Sequence, residues 1–488
     1  MRIFIQLYLI AALITPRVSS LLLDSGTEAC QQLKQIYGAS TSTPGDPDYE
    51  NLRTHHWVQS AWAVPACIVQ PSTLTHLQNI VMYLRKSNLT FAIRSGGHSP
   101  HHGWANIDNS VLIDLAAFNQ FEYNVETNLT TVGAGMTWGE VYKRLEVYQS
   151  VVVGGRVLGV GVGGLTLGGG LSWLTQLYGL VCDNVVNFQV VLANGSTLNA
   201  NAAQNPDLWW ALKGGSNIFG IVTEVTLKTY PMGQVWGGVR TYSLTQFHNV
   251  VKAYYEFQSS PDKSPYANLI VLISPTNSTI GILVSMVYLK PEQGPKAFAA
   301  FDSLNASFDS TGIKNFTDYM AEYVVPDILR VDWHATSFAM NESLYSEIVE
   351  VVMSSPSLGT IKNTTAGFLA VVLQPVSASV ARTGLEYQGN ALGIPAVDQT
   401  WLAVVTGWWS KNDDARMHNA GDRIVDAIST TSQSRGKHIP YIFMNDASWD
   451  QDVLASYGGE NVRRLKRVRR TYDPENVLQK LVPGGFKL

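Results

Sequence analysis

The sequence predicts an α+β protein of two domains, the second of which is an antiparallel sheet backed by helices. Three observations lead to this prediction. The chain of 488 residues is longer than one hydrophobic core usually organises. Residues 60–232 alternate short strand patterns with amphipathic helices and glycine turns, and from residue 233 longer strand patterns alternate with longer helical ones.

The first domain contains several local signals of defined structure. Apolar residues recur every three or four positions from Leu74, which predicts a helix after Thr73. Short strands are predicted at 91–93 and 111–115, and Thr137 with Glu140 forms a capping box that opens the next helix. Two apolar runs within 185–198 flank an Asn-Gly turn, which indicates a hairpin.

The second domain is predicted from strand runs such as "ANLIVLIS" and "TIGILVSMVYL" and from a helical pattern at 342–353. The tail "VRRLKRVRRTYDPENV" predicts a helix that stops at Asp473-Pro474. We therefore expect a first domain at 21–232 with its core at about 62–232, a second domain at 233–440, and a C-terminal segment at 441–488.

The N-terminus and the glycosylation motifs predict a secreted or secretory-pathway protein. Residues 1–20 have the charge, apolar run and small-residue cleavage site of a signal peptide, and the apolar run is too short for a membrane span. Eight N-x-Ser/Thr motifs agree with that compartment, at Asn88, Asn128, Asn194, Asn277, Asn305, Asn315, Asn341 and Asn363. After signal cleavage we expect no membrane partner.

The content of charged residues indicates which classes of partner are unlikely to bind this chain. Charged residues make up only 15% of the chain, and its one basic cluster, "RRLKRVRR", is typical of a solvated helix face, so we expect no nucleic-acid partner.

Of three cysteines, Cys30 and Cys67 could pair and tie an N-terminal helix to the first domain, whereas Cys182 has the apolar neighbours of a buried, inert thiol.

Two glycine-rich stretches predict a binding site. The first is "FAIRSGGHSP" at 91–100, and the second, 154–170, contains nine glycines in seventeen residues. The second matches G-x-G-x-x-G at 159–164, but a hairpin rather than a crossover follows it, so a Rossmann site is disfavoured, and neither stretch contains a P-loop motif. Together they favour two backbone cradles around the pyrophosphate of one dinucleotide.

The histidines after the first glycine turn, His98, His101 and His102, raise the question of a metal site. Pro100 prevents helical spacing between them, and no carboxylate or cysteine lies nearby in sequence, so we expect no metal. His98 taken alone is typical of a hydrogen-bonded structural histidine, and we expect His101 and His102 to be loop residues near the mouth of the site. No G-x-S-x-G motif supports a hydrolase.

Four stretches in order resemble the berberine bridge enzyme-like flavoproteins of the vanillyl-alcohol oxidase superfamily, and most of all their secreted fungal branch. They are "PACIVQPSTLTHLQNIVMYLRKSNLTFAIRSGGHS", "GVGVGGLTLGGGLSWLTQLYGLVCDNVVNFQVVLANG", "NPDLWWALKGGSNIFGIVTEVTLKTYP" and "YGGENVRRLKRVRRTYDPENV". The resemblance implies a PCMH-type FAD-binding domain of two lobes, a substrate domain whose sheet covers the flavin, and a C-terminal segment that returns to the FAD domain.

The resemblance also implies how FAD is held. The histidine of the R-S-G-G-H-S turn, here His98, is expected to bond covalently to the flavin 8α carbon. Val157 stands where many relatives carry a second, cysteinyl link, so we expect one covalent bond and a more open flavin site. Val160 stands where a valine accompanies ready access of O₂. The other residues expected to contact FAD are Arg94, Ser95, Gly96, Gly97, Ser99, Gly161, Gly163, Gly164, Gly168, Gly169, Gly220, Ile221, Val222 and Asn476.

The catalytic base is the least determined part of the resemblance. Several relatives have a tyrosine base in "Y-L-N-Y", but the corresponding run here is "YIFMNDAS", which puts Asp446 in that place. A carboxylate there can accept the substrate proton if its pKa suits, or it can only bond to backbone. Tyr178 is the alternative pocket residue, with a place in the core as its other interpretation.

The function implied is an FAD-linked oxidase. Hydride from a small organic substrate, taken to be a secondary-metabolite intermediate, would pass to flavin N5, and O₂ would restore the flavin and give H₂O₂. The alternatives are a carbohydrate oxidase, which Val157 disfavours, a flavoprotein cyclase that forms rings in secondary metabolites, and a non-catalytic glycoprotein. Neither the substrate nor the oligomeric state is predicted.

Overall fold

In the computed structural model, which describes residues 25–277, 281–322 and 329–488, the chain folds into two domains built on three sheets. The expected signal peptide at 1–20 lies outside these described residues. The first sheet has the order β1-β2-β4-β3, with parallel pairing of β2 and β3 to β4. Its strands are β1 Thr41–Ser42, β2 Cys67–Val69, β3 Phe91–Arg94 and β4 Val111–Asp114.

The second sheet is antiparallel and completes the first domain. It has the order β5-β6-β10-β8-β9, and β7 also pairs with β10. Its strands are β5 Phe121–Asn124, β6 Leu129–Gly133, β7 Ser150–Val152, β8 Val185–Val191, β9 Thr197–Asn201 and β10 Ile221–Pro231. The predicted hairpin at 185–198 is the β8–β9 pair, with Gly195 at φ +81° in its turn, where an L side chain would be strained.

The third sheet has nine strands and forms the second domain. Its order is β14-β11-β13-β12-β17-β18-β16-β19, and β15 also pairs with β11. The strands are β11 Gln234–Tyr242, β12 Ala267–Ile273, β13 Ile282–Tyr288, β14 Phe308–Asp309, β15 Gly312–Asn315, β16 Arg330–Ala339, β17 Phe368–Val376, β18 Gln399–Trp408 and β19 His438–Ile439. Its pairings are antiparallel, as the strand patterns predicted.

Sixteen α-helices are assigned within the described part of the chain. They are α1 Ser25–Tyr37, α2 Tyr49–Thr54, α3 Leu74–Lys86, α4 Trp138–Glu146, α5 Val162–Leu167, α6 Thr175–Tyr178, α7 Pro206–Leu212, α8 Phe247–Ser259, α9 Ala299–Asp302, α10 Phe316–Glu322, α11 Glu342–Ser354, α12 Pro356–Lys362, α13 Ala378–Glu386, α14 Asp414–Ser434, α15 Gly459–Tyr472 and α16 Val477–Leu481. No helix among these residues is long and apolar enough to cross a membrane.

Local sequence signals fix several helix ends. Thr73 caps α3 by accepting from the backbone of His76, and Thr137 with Glu140 forms the complete capping box that opens α4. The helices α8, α11 and α14 cover one face of the third sheet, where their apolar side chains share a core with alternate residues of the strands. The opposite face of that sheet is left for the first domain.

The termini close the first domain. Cys30 in α1 is joined to Cys67 in β2 by a disulfide, the pairing considered from the sequence, and Cys182 is a buried free thiol whose pKa is raised by burial. Leu478 of α16 packs in the same core as the first sheet, so the C-terminal segment returns to the first domain after the second domain is complete.

Candidate active site

A cavity of about 890 Å³ lies between the glycine turns of the first domain and the open face of the third sheet. This volume is near the upper end of the range of roughly 300–1,000 Å³ typical of small-molecule sites. Residues of both domains and of the C-terminal segment line it, including Gly96, Val372 and Phe486. The cavity therefore exists only because the domains are assembled.

The two glycine turns are in direct backbone contact. A Cβ on Gly96 would lie 2.5 Å from the Cα and N atoms of Gly161, and a Cβ on Gly161 would lie 2.3 Å from the N atom of Gly96. Any side chain at either position would force the turns apart. Ser95 adds a bond across the contact, because its Oγ donates to the Ala134 carbonyl (2.5 Å) and accepts from the Gly163 N–H (3.3 Å).

His98 projects from the first turn into the cavity. Its ring stacks on Trp57, with centroids 4.3 Å apart and planes 11° apart. Burial lowers the pKa of His98 to about 4, so the imidazole is neutral at physiological pH and one ring nitrogen keeps a free lone pair. A neutral, oriented imidazole on the cavity wall is the form of histidine that can act as a nucleophile.

Most of the residues predicted to hold FAD do line the cavity. They are Ser95, Gly96, Gly97, His98, Ser99, Val160, Gly161, Gly163, Gly164, Gly168, Gly220, Ile221 and Val222. Val157, the position of the absent cysteine, also lines it. At Gly168 a Cβ would lie 2.3 Å from Asn445 Nδ2, and Asn445 accepts from the Gly170 N–H at 3.1 Å, so the C-terminal segment packs directly on the second glycine turn.

Three of the residues predicted to contact FAD are not among those that line this cavity. Arg94 is buried beneath the first turn, where its guanidinium donates to Asp114 (2.9 Å) and to the Leu52 carbonyl (2.6 Å). Gly169, at φ +105°, packs against Leu392. Asn476 lies outside the lining and begins α16 at φ +59°. These three residues shape the fold around the site.

Asp446 lines the cavity and belongs to a hydrogen-bonded group of three polar residues. Gln374 Nε2 donates to Asp446 Oδ2 at 2.7 Å, and Arg156 Nη2 donates to Gln374 Oε1. Burial raises the pKa of Asp446, while the charge of Arg156 and the bond from Gln374 oppose that shift. The group combines a basic carboxylate with two residues that fix its orientation.

Tyr178, the alternative catalytic residue, is placed away from this group. Its ring stacks on Tyr230 with centroids 3.6 Å apart, and it is not among the residues that line the cavity. Its helix α6 ends at Gly179, and its ring lies against β10 of the second sheet. Of the two candidates, Asp446 is the one that lines the cavity.

The wall opposite the glycine turns is largely apolar. Alternate residues of β17 face the cavity, while those between them pack in the core beneath the helices. Gln374 ends this row and is its polar member. The apolar residues contributed by the third sheet are Val239, Leu272, Leu283, Phe308, Val331, Trp333, Phe368, Ala370, Val372 and Val405.

His101 and His102 have different surroundings. His101 lines the cavity and bonds to the Ala447 carbonyl through Nε2 at 3.1 Å, whereas His102 is exposed and pairs with Asp108 at 3.0 Å. Sequence reasoning missed Trp57, Arg156, Gln374 and Asn445. Arg156, inside the second glycine stretch, carried a signal as its one charged residue, but the others come from regions without a motif.

Comparison with known proteins decides the family. Residues 65–201 match the family model described as FAD binding domain. An FAD-dependent monooxygenase of Arthrobotrys oligospora is 34% identical over 94% of this chain and 89% of its own length. The bifunctional solanapyrone synthase of Alternaria solani is 33% identical over the same shares.

The chain belongs to the FAD-binding family of these fungal FAD-dependent monooxygenases. Solved structures show the same fold at low identity. The 6-hydroxy-D-nicotine oxidase of Arthrobacter nicotinovorans has a TM-score of 0.77 at 19% identity, covering 90% of this chain and 95% of its own. Glucooligosaccharide oxidase of Acremonium strictum, whose FAD is bonded to a cysteine and a histidine, has a TM-score of 0.76 at 16% identity, covering 93% and 97%.

Membership of this FAD-binding family makes the chain an FAD-dependent oxidoreductase, and the residues present fit FAD. The glycine contact at Gly96 and Gly161 keeps a backbone cradle clear of side chains, as a pyrophosphate requires. A neutral His98 lies on the same cavity wall. The predicted fold class, an FAD-binding domain with a second domain of an antiparallel sheet backed by helices, is confirmed.

Proposed function

We propose that this protein is an FAD-linked oxidase of a small, largely apolar organic substrate from secondary metabolism. The observation that carries the proposal is that His98, the glycine turns and Asp446 line one cavity whose opposite wall is apolar. FAD, when bound, supplies the acceptor for a hydride from the substrate. The chain's own residues supply attachment, the proton acceptor and the shape of the pocket.

His98 is proposed to anchor the cofactor through one covalent bond. Its neutral imidazole is held by the stack on Trp57, which fixes the direction of the ring nitrogens. Val157 provides no second anchor, since a valine side chain has no nucleophilic atom. The histidyl bond of the glucooligosaccharide oxidase supports this assignment.

Asp446 is proposed to accept the substrate's hydroxyl proton. Its carboxylate is buried, and Gln374 occupies Oδ2, which leaves Oδ1 for the substrate. Arg156 stabilises the ionised form that a base requires, while burial keeps the carboxylate more basic than one in water. Positioning by Gln374 keeps this oxygen in one direction during the reaction.

The pocket wall favours an apolar substrate over a carbohydrate. Sugar-binding sites require many hydrogen-bonding side chains, but β17 presents Phe368, Ala370 and Val372 before its single amide at Gln374. One relative, of Alternaria solani, is named a bifunctional solanapyrone synthase, which supports a substrate from secondary metabolism. We assign O₂ as the oxidant, with Val160 beside the cavity as the residue that leaves it access.

The test uses the purified yellow protein without O₂. It is mixed with a panel of small apolar alcohols and, separately, with xylo- and cello-oligosaccharides. We expect the flavin absorbance to bleach with members of the first panel only, and one H₂O₂ to form per substrate oxidised when O₂ is admitted. Bleaching with oligosaccharides alone would establish the carbohydrate oxidase instead.

Three further outcomes would also overturn the proposal. Product formed without bleaching would identify a cyclase that uses the fold as a shaped pocket, and transfer of ¹⁸O from O₂ into the product would identify a monooxygenase, as the relatives are named. A colourless purified protein would indicate a non-catalytic glycoprotein.

We also propose that the protein acts in the secretory pathway or outside the cell. Six of the eight glycosylation motifs have an exposed asparagine, whereas Asn277 and Asn341 are partly buried. Asn341 also caps α11 through its side chain. Glycopeptide mass spectrometry on protein secreted with its own N-terminus is expected to find glycans at some of the six exposed sites and a mature chain that starts near residue 21.

A further inference from the structure

Three side chains with metal-binding atoms converge behind the cavity wall. Asp332 and His334 lie two residues apart on β16, so they share one face of the strand, and His418 reaches them from α14. One ligand atom from each of the three lies within 4.8 Å of the other two. Val331 and Trp333, on the alternate face of β16, line the cavity.

The ring nitrogens of His334 are buried without a hydrogen-bond partner in the described part of the chain. His334 is 0% exposed, and neither ring nitrogen has a hydrogen-bond partner among the described residues. A buried polar atom without a partner costs roughly 1–3 kcal/mol, so a fully buried imidazole with two such atoms calls for a ligand. At Gly421 of α14 a Cβ would lie 2.9 Å from the His334 ring, so the helix approaches closely only because this residue is glycine.

His418 is oriented as metal-binding histidines are. Its Nδ1 lies 2.5 Å from Asp332 Oδ2, inside the cluster, and its Nε2 lies 3.0 Å from Asp450 Oδ2, outside it. An imidazole that binds a metal through one nitrogen usually donates the other N–H to a carboxylate, which fixes its orientation and raises its basicity. Asp450 is placed to be that carboxylate.

The surroundings favour a cation. Two carboxylates lie at the cluster, because His418 bonds to Asp332 through Nδ1 and to Asp450 through Nε2. A proton on His418 satisfies Asp332 and Asp450 but leaves His334 without a partner. A metal ion would satisfy all three cluster residues at once, because imidazole nitrogens and a carboxylate oxygen are its usual ligands.

We propose that Asp332, His334 and His418 form a binding site for one divalent transition-metal ion of the zinc class. Two imidazoles and one carboxylate are a ligand set suited to Zn²⁺, with a water or a further side chain completing the coordination. The sequence did not predict this site, because Asp332 and His418 are 86 positions apart and no local motif joins them. The ion would tie β16, one strand of the cavity wall, to the helix behind it.

The test is zinc binding to the flavin-loaded, tag-free protein after treatment with a chelator. We expect calorimetry with ZnCl₂ to give one site per chain and elemental analysis after gel filtration to recover one zinc. The variant His334→Leu keeps the site apolar and removes one ligand, so it should fold while its zinc affinity falls by more than about tenfold. The matched control, His248→Gln, alters an exposed histidine 3.8 Å from Glu350 and should leave zinc binding unchanged.

Two further measurements separate the site from a merely buried histidine. Zinc should raise the temperature of unfolding of the wild type and not that of His334→Leu, because only a native-state ligand stabilises the fold. X-ray absorption at the zinc edge should show nitrogen and oxygen ligands at about 2.0–2.2 Å. The proposal fails if the wild type binds no stoichiometric zinc, or if His334→Leu and His418→Gln bind it as tightly as the wild type.

Discussion

At the scale of single residues, the most specific prediction is that His98 binds FAD covalently. The turn that follows β3 places His98 on the cavity wall, where its neutral imidazole stacks on Trp57. If it is the only covalent anchor, His98→Ala should release all FAD from the polypeptide on acid precipitation, whereas the wild type stays yellow. His102→Ala, an exposed histidine in the same loop, is the control and should keep its flavin bound. Flavin fluorescence of the denatured chain on a gel measures both.

The protonation of Asp446 predicts how the rate of flavin reduction depends on pH. A base must be ionised, so the rate of flavin reduction should fall as the pH drops through the pKa of Asp446, which burial raises above its ordinary value. The charge of Arg156 lowers that pKa, so Arg156→Met should raise it and move this acid limb to higher pH. Arg156→Lys keeps the charge and should move the limb less.

The contribution of the Asp446 carboxylate to the rate of flavin reduction can be measured by removing it. Asp446→Asn should slow anaerobic flavin reduction by about 10²–10⁴-fold and remove the acid limb. Stopped-flow measurement across the pH range checks both variants with the substrate found by the panel. An acid limb that stays in place in Arg156→Met, or that persists in Asp446→Asn, would show that another group accepts the proton.

Single residues were predictable where they sit in a motif and unpredictable where tertiary contact defines them. His98 follows from its glycine turn, and Asp446 from the family run in which it replaces a tyrosine. Gln374, which orients Asp446 from 72 positions away, has no signal in the sequence. Arg94 is predicted at the cofactor because it adjoins the motif, but its ion pair with buried Asp114 at 2.9 Å has no signal in the sequence.

At the scale of elements, the contact between the two glycine turns is the feature that a single methyl group can break. In Gly161→Ala the Cβ would lie 2.3 Å from the Gly96 N atom, so the turns must separate. We expect purified Gly161→Ala to contain much less FAD per chain than the wild type. Gly159→Ala meets nothing within 4 Å and should keep the wild-type ratio, measured as absorbance of flavin against protein.

The disulfide ties α1 to β2, and its loss should be measurable. It closes a loop with a sequence separation of 37, for which the loss of chain entropy in the unfolded state is worth about 4 kcal/mol. The double variant Cys30→Ala/Cys67→Ala should lose about that much free energy of unfolding in urea. Cys182→Ala, a buried thiol without a partner sulfur, should lose only about 1 kcal/mol. Equal losses would show that packing rather than the cross-link stabilises this region.

Elements with strong local chemistry were predicted well. The capping box at Thr137 and the Asn-Gly turn at 194–195 define their elements by bonds within a few residues, and the structure contains both. Sheet order was not predictable in the same way. Pairing of β16 with β18 and β19 joins segments far apart in sequence, and only the burial of a whole sheet face selects it.

At the scale of the whole molecule, the cavity lies where the two domains meet, so an occupant should stabilise both. In His98→Ala, where FAD can only bind reversibly, the temperature of unfolding should rise with added FAD, because a ligand of the native state shifts the equilibrium by mass action. The wild type, with its cofactor already attached, should not respond. Calorimetric scans at several FAD concentrations check this, and a wild type that responds as strongly as the variant would contradict the covalent bond.

The architecture itself was readable from the sequence, since length, strand patterns and four ordered motifs led to two domains and a returning tail. The wall of the cavity was not readable. Its residues are spread over seven strands and share no spacing, because a sheet gathers them through long-range pairing. The cofactor side of such a site is therefore predictable from local motifs, and the substrate side is not.

The alternation of β17 separates two kinds of evolutionary change. Phe368, Ala370 and Val372 line the cavity on the face toward the first domain, whereas Leu369, Val371 and Leu373 pack in the core beneath the helices. A mutation in the first set changes which substrates fit the cavity but leaves the packing of β17 against the helices unchanged. New substrate ranges can thus arise by drift along one side of a strand, while the cofactor and its attachment are inherited unchanged.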